Sequence, residues 1–278
     1  MPRQMTAAEK TKYRQAFPAL NVNGVVVTGE ISTVYNRISW TVGVTTRWLW
    51  PGPSLVDFDT FYLGFGFVRA GDGTVAAWGH SASNMKHGCV SGPGHGPRWE
   101  SKCGDDLRIQ HGLGELVSGT YGRVTAFYRQ ARTLSAANEP LAEEIMKEKT
   151  AKSYLTPAYR KVLGDVCERI PPDVRAAYGS AFAAWKASWF SGGLAFSSDP
   201  HTRTVGREYD ALIAMGPAII PLVVESLADP ENFLALQLYD AIQPNGQLLV
   251  QFGPDDERIL EGEQGRARRV VHTWFANR

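Results

Sequence analysis

Cysteine is scarce. The 278 residues hold three, Cys89, Cys103 and Cys167, an odd number with no C-x-x-C pair among them. Such a set excludes a disulfide framework and fits a reducing, cytoplasmic setting. Charge of one sign is also missing. The 29 basic and 28 acidic residues leave a net charge of +1. That balance offers no electrostatic footprint for nucleic acid, and no basic run marks a membrane surface. No stretch approaches the ~20 consecutive apolar residues of a membrane span. The N-terminal segment MPRQMTAAEKTKYRQAF is polar and charged, without the apolar core of a secretory signal. The expectation is a soluble protein with neither nucleic-acid nor membrane partner; oligomeric state is not readable.

Apolar and aromatic residues are plentiful, at 44% and 11%, enough for real cores in one large or two modest domains. Residues 17–132 are rich in Gly, Trp, Val and Thr. Short runs at Val25–Thr28, Thr74–Trp78, Arg98–Lys102 and Arg123–Tyr128 read as strands. Asn36–Val44 and Asp57–Leu63 read as helices, although the spacing of two in Ile38, Trp40, Val42 and Val44 also suits a strand. Helices first and consecutive strands after predict an α+β domain with an antiparallel sheet. From residue 133 the chain turns Ala-rich and charged. Helical periodicity covers Pro140–Ala151, Pro157–Ile170, Asp173–Phe190, Val205–Met215, Ala218–Ala228, Glu231–Ile242 and Asp255–Phe275. The expected division is 17–132 and 133–278, the second part all-helical. Two striped helices around Gly216-Pro217 resemble one HEAT-like pair, but no second copy follows at a fixed period.

Chemistry-bearing residues gather in the first part. His80 closes the strand-like run VAAWGH. The loop SASNMKHGCVSGPGHGP follows with His87, Cys89 and His95, and then RWESKCGDDLRIQH with Glu100, Ser101, Lys102, Cys103 and His111. The spacing H-x-C-x5-H-x7-C matches no zinc finger or knuckle, so neither a metal nor another cofactor is implied. Cys103, beside Lys102, is readable as a displaced thiol or as an inert buried one. The Gly-rich loop lacks the lysine of a P-loop. LEGEQGRARR, from Leu260 to Arg269, reads as a helix face carrying charge pairs.

Arg37 stands apart. Asn36 is a good N-cap, which puts the guanidinium in the first helical turn, where the macrodipole favours an anion. Three roles are open to it: a surface cation paired with Asp57 or Asp59, a binder of an anion or oxyanion, or a relic. Trp48, Trp50 and Trp99 are expected in the core, with Trp40 and Trp78 available as apolar walls of a cleft.

The ordered set YN-x-I-x-W…W-x-WP, a strand ending in H-[SA]-A, W-x-SK-x-G, I-x-H and YGRV, over residues 18–129, resembles an uncharacterised domain family of bacteria and fungi. Members of that family carry Asn-Cys-Ile-Ala-Trp at the helix start, and the layout is similar to papain-like, NlpC-type thiol enzymes. The resemblance implies a papain-like N-terminal domain. It places the nucleophile position on Arg37, the base position on His80, and the orienting position on Ser101, with Glu100 beside it. Arginine departs from the pattern where it matters most, because a guanidinium is neither nucleophile nor base.

Two functions follow as expectations. One is an enzyme using the cleft without a covalent thiol intermediate. His80 would be its acid/base, Ser101 or Glu100 the orienting group, and Arg37, Trp40 and Trp78 the binding residues. Its substrate would be a small carbonyl-containing or anionic metabolite, and its reaction hydrolysis, acyl transfer, cyclisation or isomerisation. The other is a catalytically inactive relative that binds a peptide or metabolite, with the helical part recruiting a partner.

Overall fold

A computed structural model describes residues 1–91, 98–131, 155–253 and 256–277. The chain forms two compact units. The first comprises Met1–Lys147, Ala195–Asp199 and Gly253–Leu260, and the second Glu148–Leu194, Pro200–Phe252 and Glu261–Arg278. The first unit therefore takes in two short segments from late in the chain. The expected helix at Pro140–Ala151, and with it the expected boundary at 132/133, lies outside the described residues.

The first unit is built on eight strands: β1 (Arg3–Gln4), β2 (Val26–Gly29), β3 (Phe67–Ala70), β4 (Val75–Ser81), β5 (Asn84–Val90), β6 (Trp99–Lys102), β7 (Arg108–His111) and β8 (Arg123–Gln130). They form one sheet in the order β1-β2-β7-β6-β5-β4-β8-β3, with every pairing antiparallel. Among the described residues, three helices accompany it: α1 (Ala7–Ala16), α2 (Arg37–Thr41) and α3 (Leu55–Gly64). Reciprocal capping boxes open α1, between Thr6 and Glu9, and α3, between Ser54 and Asp57. Each cap is worth about 1 kcal/mol.

Period-two alternation along β4 builds two cores. Ala76 and Trp78 join Tyr13, Phe17, Cys89, Cys103, Ile109, Tyr121 and Phe196, whereas Val75 and Ala77 join Ile38, Trp50, Phe58, Tyr62 and Tyr128. Alternation fails at one place in β5. Trp78 pairs with His87 but Gly79 pairs with Met85, so Lys86 is an extra residue, and Met85 and His87 end up serving different faces. One residue later α2 and α3 come close to the strand. A Cβ on Gly88 would stand 2.9 Å from both Thr41 and the Tyr62 hydroxyl, which only glycine avoids.

The described part of the second unit is helical: α4 (Pro157–Cys167), α5 (Pro172–Ser188), α6 (Arg207–Ala214), α7 (Ile220–Leu227), α8 (Leu236–Ile242) and α9 (Gly262–Ala276), joined by short 3-10 turns. No strand is found there among the described residues. The helices expected at 231–242 and 255–275 each begin as a 3-10 turn, Pro230–Ala235 and Glu257–Glu261, before continuing as α8 and α9. Pro230 at the first position and non-helical φ/ψ angles at Asn232 explain the break in the first of these. The charge-rich helix face holds pairs from Arg266 to Asp240 at 2.8 Å and from Arg269 to Glu261. No single helix among the described residues is long and apolar enough to cross a membrane; Arg207–Ala214 with Gly216–Leu227 would suffice by length and composition only as a pair bent by 97°.

Candidate functional site

Asn36 starts α2 as the sequence suggests. Its Oδ1 accepts from the Ser39 backbone N–H at 2.9 Å and from the Ser39 hydroxyl at 2.8 Å. Its amide donates to the Leu49 carbonyl at 2.7 Å, and the Leu49 N–H returns to the Ser39 hydroxyl at 2.8 Å. This closed loop of buried hydrogen bonds fixes the first turn of α2, and with it Arg37.

Arg37 is not a surface cation. It is 1% exposed. Asp57 is engaged in the Ser54 cap, and Asp59 pairs with Arg69 and accepts from the Tyr128 hydroxyl. No carboxylate among the described residues forms an ion pair with Arg37. Instead its Nη1 donates to the Phe196 carbonyl at 2.5 Å, and its guanidinium carbon lies 4.3 Å from the centre of the Tyr121 ring. Its Nε has no partner. Burial lowers its pKa, but a guanidinium remains charged in a protein.

A hydrogen-bonded chain of side chains lies beside it. His87 stacks on Tyr121, with ring centres 4.0 Å apart and planes 7° off parallel. Its Nε2 is 2.9 Å from the Ser101 hydroxyl, which is 2.8 Å from Nε2 of His111. His111 Nδ1 lies 2.8 Å from the Gly112 carbonyl. A carbonyl only accepts, so the His111 proton is on Nδ1. Burial pushes the His111 pKa down to about 4, so the ring is neutral and its Nε2 carries a lone pair. Ser101 must donate its single proton there, and therefore accepts from His87 Nε2–H. Burial first, and then the charges of Arg37 and His111, hold His87 well below the usual histidine range. His87 is thus neutral, and its Nδ1 is a buried lone pair with no partner.

Ser101 therefore hydrogen-bonds His87 and His111, and not His80, which the resemblance places as the base. His80 is exposed near the end of β4 and makes no hydrogen bond among the described residues. Glu100 points elsewhere: its carboxylate pairs with Arg108 at 2.9 Å, and that guanidinium lies 4.0 Å from the centre of the Trp40 ring. Trp78 is fully buried, donates to the Cys89 sulfur at 3.3 Å, and meets His87 edge-on at 5.8 Å. It is core rather than an accessible wall. Cys89 and Cys103 are buried free thiols, each pushed up to about 12 by burial, so neither serves as a displaced nucleophile in this state. His95 and the Gly-rich loop at 92–97 lie outside the described residues.

Residues 26–129 match the family described as a domain of unknown function, DUF7689. The match spans Arg37, His87, Ser101, His111 and Tyr121, well under half of the chain. No curated protein matches the chain, and neither does any solved structure.

Three participants have no site role in the sequence reading. His87 stands there only among the residues of a loop, although the alternation in MKHGCV signals a strand. Tyr121 carries no local motif beyond YGRV. Phe196 is 159 residues from Arg37, and nothing in the sequence links the two.

Proposed function

We propose that the first unit is a papain-like scaffold that has lost catalysis and uses the old nucleophile position to hold a peptide segment. The observation that carries this reading is the Arg37 contact: a guanidinium 1% exposed at the nucleophile position, donating to a backbone carbonyl of Phe196. The remaining layout agrees with such an origin. His87 and Arg37 both lie against the Tyr121 ring, His87 Nε2 is hydrogen-bonded to Ser101, and His87 Nδ1 has no partner. The nucleophile position itself holds no nucleophile, since Arg37 cannot act as one, and Cys89 and Cys103 are buried with raised pKa values.

The geometry favours this reading over an enzyme with His80 as acid/base and Arg37 as anion binder. His80 is exposed on a strand end, while Arg37 and His87 are closed off from solvent. A catalytic constellation needs its members converging on one accessible point.

The test is turnover. The purified full chain is expected to release no product from a panel of fluorogenic peptide, ester and amide substrates. Turnover abolished by His87→Ala or Arg37→Met would overturn the reading.

A further inference from the structure

The chain leaves the second unit at Leu194 and returns to it at Pro200, and the five residues between belong to the first unit. They dock at the site just described. The Ala195 carbonyl accepts from the Asp105 N–H at 3.1 Å, the Phe196 carbonyl from Arg37 Nη1 at 2.5 Å, and the Ser198 carbonyl from the Trp48 indole at 2.8 Å. All three contacts read backbone and accept any sequence. The approach is close: a Cβ on Gly104 would stand 2.0 Å from the Ala195 oxygen, and Gly104 has φ +65°.

Side chains supply the selectivity. The Phe196 ring is 3% exposed and meets Tyr13 and Phe17 edge-on at 5.4 and 5.3 Å, with Lys12 Nζ 5.2 Å from its centre. This is an aromatic pocket with a cation at its rim. Ser198 is fully buried, so its position admits only a small residue. The Asp199 carboxylate faces Lys86 at 3.8 Å. Ser197 is only partly buried, so its position is not restricted in size as that of Ser198 is.

We propose that this surface is a binding site for peptides of the form Phe-x-small-Asp, and that residues 195–199 are its resident ligand, exchangeable for the same motif in another protein. Charge complementarity favours this occupant: Asp199, the segment's one charged residue, faces Lys86, and Arg37 donates to the segment's backbone, while Lys12, paired with Asp106, meets the Phe196 ring. The proposal rests on the non-catalytic reading above and names the ligand of that site. A tethered ligand competes at millimolar effective concentration, so an outside peptide binds measurably only when the resident segment is weakened.

The experiment uses the full chain and a fluorescein-labelled peptide GGLAFSSDP, read by fluorescence anisotropy. Phe196→Ala in the chain vacates the aromatic pocket and is expected to tighten binding of the labelled peptide at least tenfold over the unaltered chain. Replacing Phe by Ala, or Asp by Lys, within the peptide is expected to weaken that binding at least tenfold. Asp199→Lys, which loosens the segment without touching the core, is a second acceptor in case Phe196→Ala lowers the folded fraction seen by circular dichroism. Failure of both acceptors to bind, or equal binding of the altered peptides, overturns the proposal and leaves the non-catalytic reading standing. Turnover dependent on His87 would overturn that reading, whatever the peptide does.

Discussion

Acid is the sharpest probe of the His87–Ser101–His111 chain. Both histidines are buried and held neutral, with His111 pushed down to about 4 and His87 well below the ordinary value. As pH falls through the ordinary histidine range near 6.5, the unfolded chain takes up protons that the folded chain refuses. The stability these groups contribute is therefore fully present above about pH 6.5. It is lost progressively below that, until the folded rings themselves protonate. For His111 the whole loss is about 3 kcal/mol, from a displacement of roughly 2.5 pH units at 1.36 kcal/mol each. Between about pH 7.5 and about pH 5 His111 accounts for about 2 kcal/mol, against the ~5–15 kcal/mol of a typical domain, and His87 adds to the loss in the same direction. The assay is urea unfolding at successive pH values, followed by tryptophan fluorescence, on the full chain and on His111→Gln. Glutamine keeps a donor and an acceptor but does not titrate, so the average slope over this interval is expected to fall by about 0.8 kcal/mol per pH unit. An unchanged slope would refute the buried, neutral assignment of His111, and with it the proton order deduced for Ser101 and His87.

Other outcomes follow from the same contacts. Arg37→Cys removes the donor to the buried Phe196 carbonyl and is expected to cost about 1–3 kcal/mol in urea unfolding; an unchanged midpoint would refute that role. Its thiol, at a position 1% exposed, is expected to react with iodoacetamide near neutral pH no faster than Cys89 or Cys103 in the folded chain. In the unaltered folded chain, Cys103 is expected to resist the same reagent, because burial both hides the thiol and raises it to about 12. Gly104→Ala is expected to cost more than about 2 kcal/mol in thermal unfolding, since it combines positive φ with a clash against Ala195. Gly114→Ala, which meets open space, should change stability by under about 0.5 kcal/mol.

Local rules made much of the first unit legible. An Asn with its side chain free to cap, a run such as VAAW, and Pro or Gly punctuation all act within a few residues, so α2, β4 and β8 were readable. The capping box Thr6–Glu9 was equally local, yet α1 was passed over because its surroundings are so polar. β5 was lost for a different reason. Its glycine and its bulge at Lys86 are both departures from regular strand pattern, made where helices press on the sheet. That departure also decides which histidine faces the site. A bulge is invisible to alternation counting, and His80 itself falls at a second irregularity of β4, between Gly79 paired with Met85 and Ser81 paired with Asn84; only the family resemblance points to it. The Phe196 contact is a long-range event, and no windowed reading reaches it.

Persistence of the histidine–serine–histidine chain is not by itself a sign of chemistry. Each buried polar atom stripped of its partner costs about 1–3 kcal/mol, so a chain in which Ser101 satisfies two rings at once is retained for stability alone. The atoms that stability does not account for are the orphans. His87 Nδ1 and Arg37 Nε are both buried and unpartnered, and their side chains touch the same Tyr121 ring. A core shaped only by packing would have replaced such groups by apolar ones, at little cost or at a gain. Arg37 escapes that replacement because its other arm binds the Phe196 carbonyl, a backbone group that needs a donor once buried. A guanidinium at this helix start then has a physical reason. A thiolate there would face the Phe196 carbonyl oxygen with like partial charge, whereas a guanidinium meets it as donor, so a docked backbone segment and a thiol nucleophile are mutually exclusive occupants of this position.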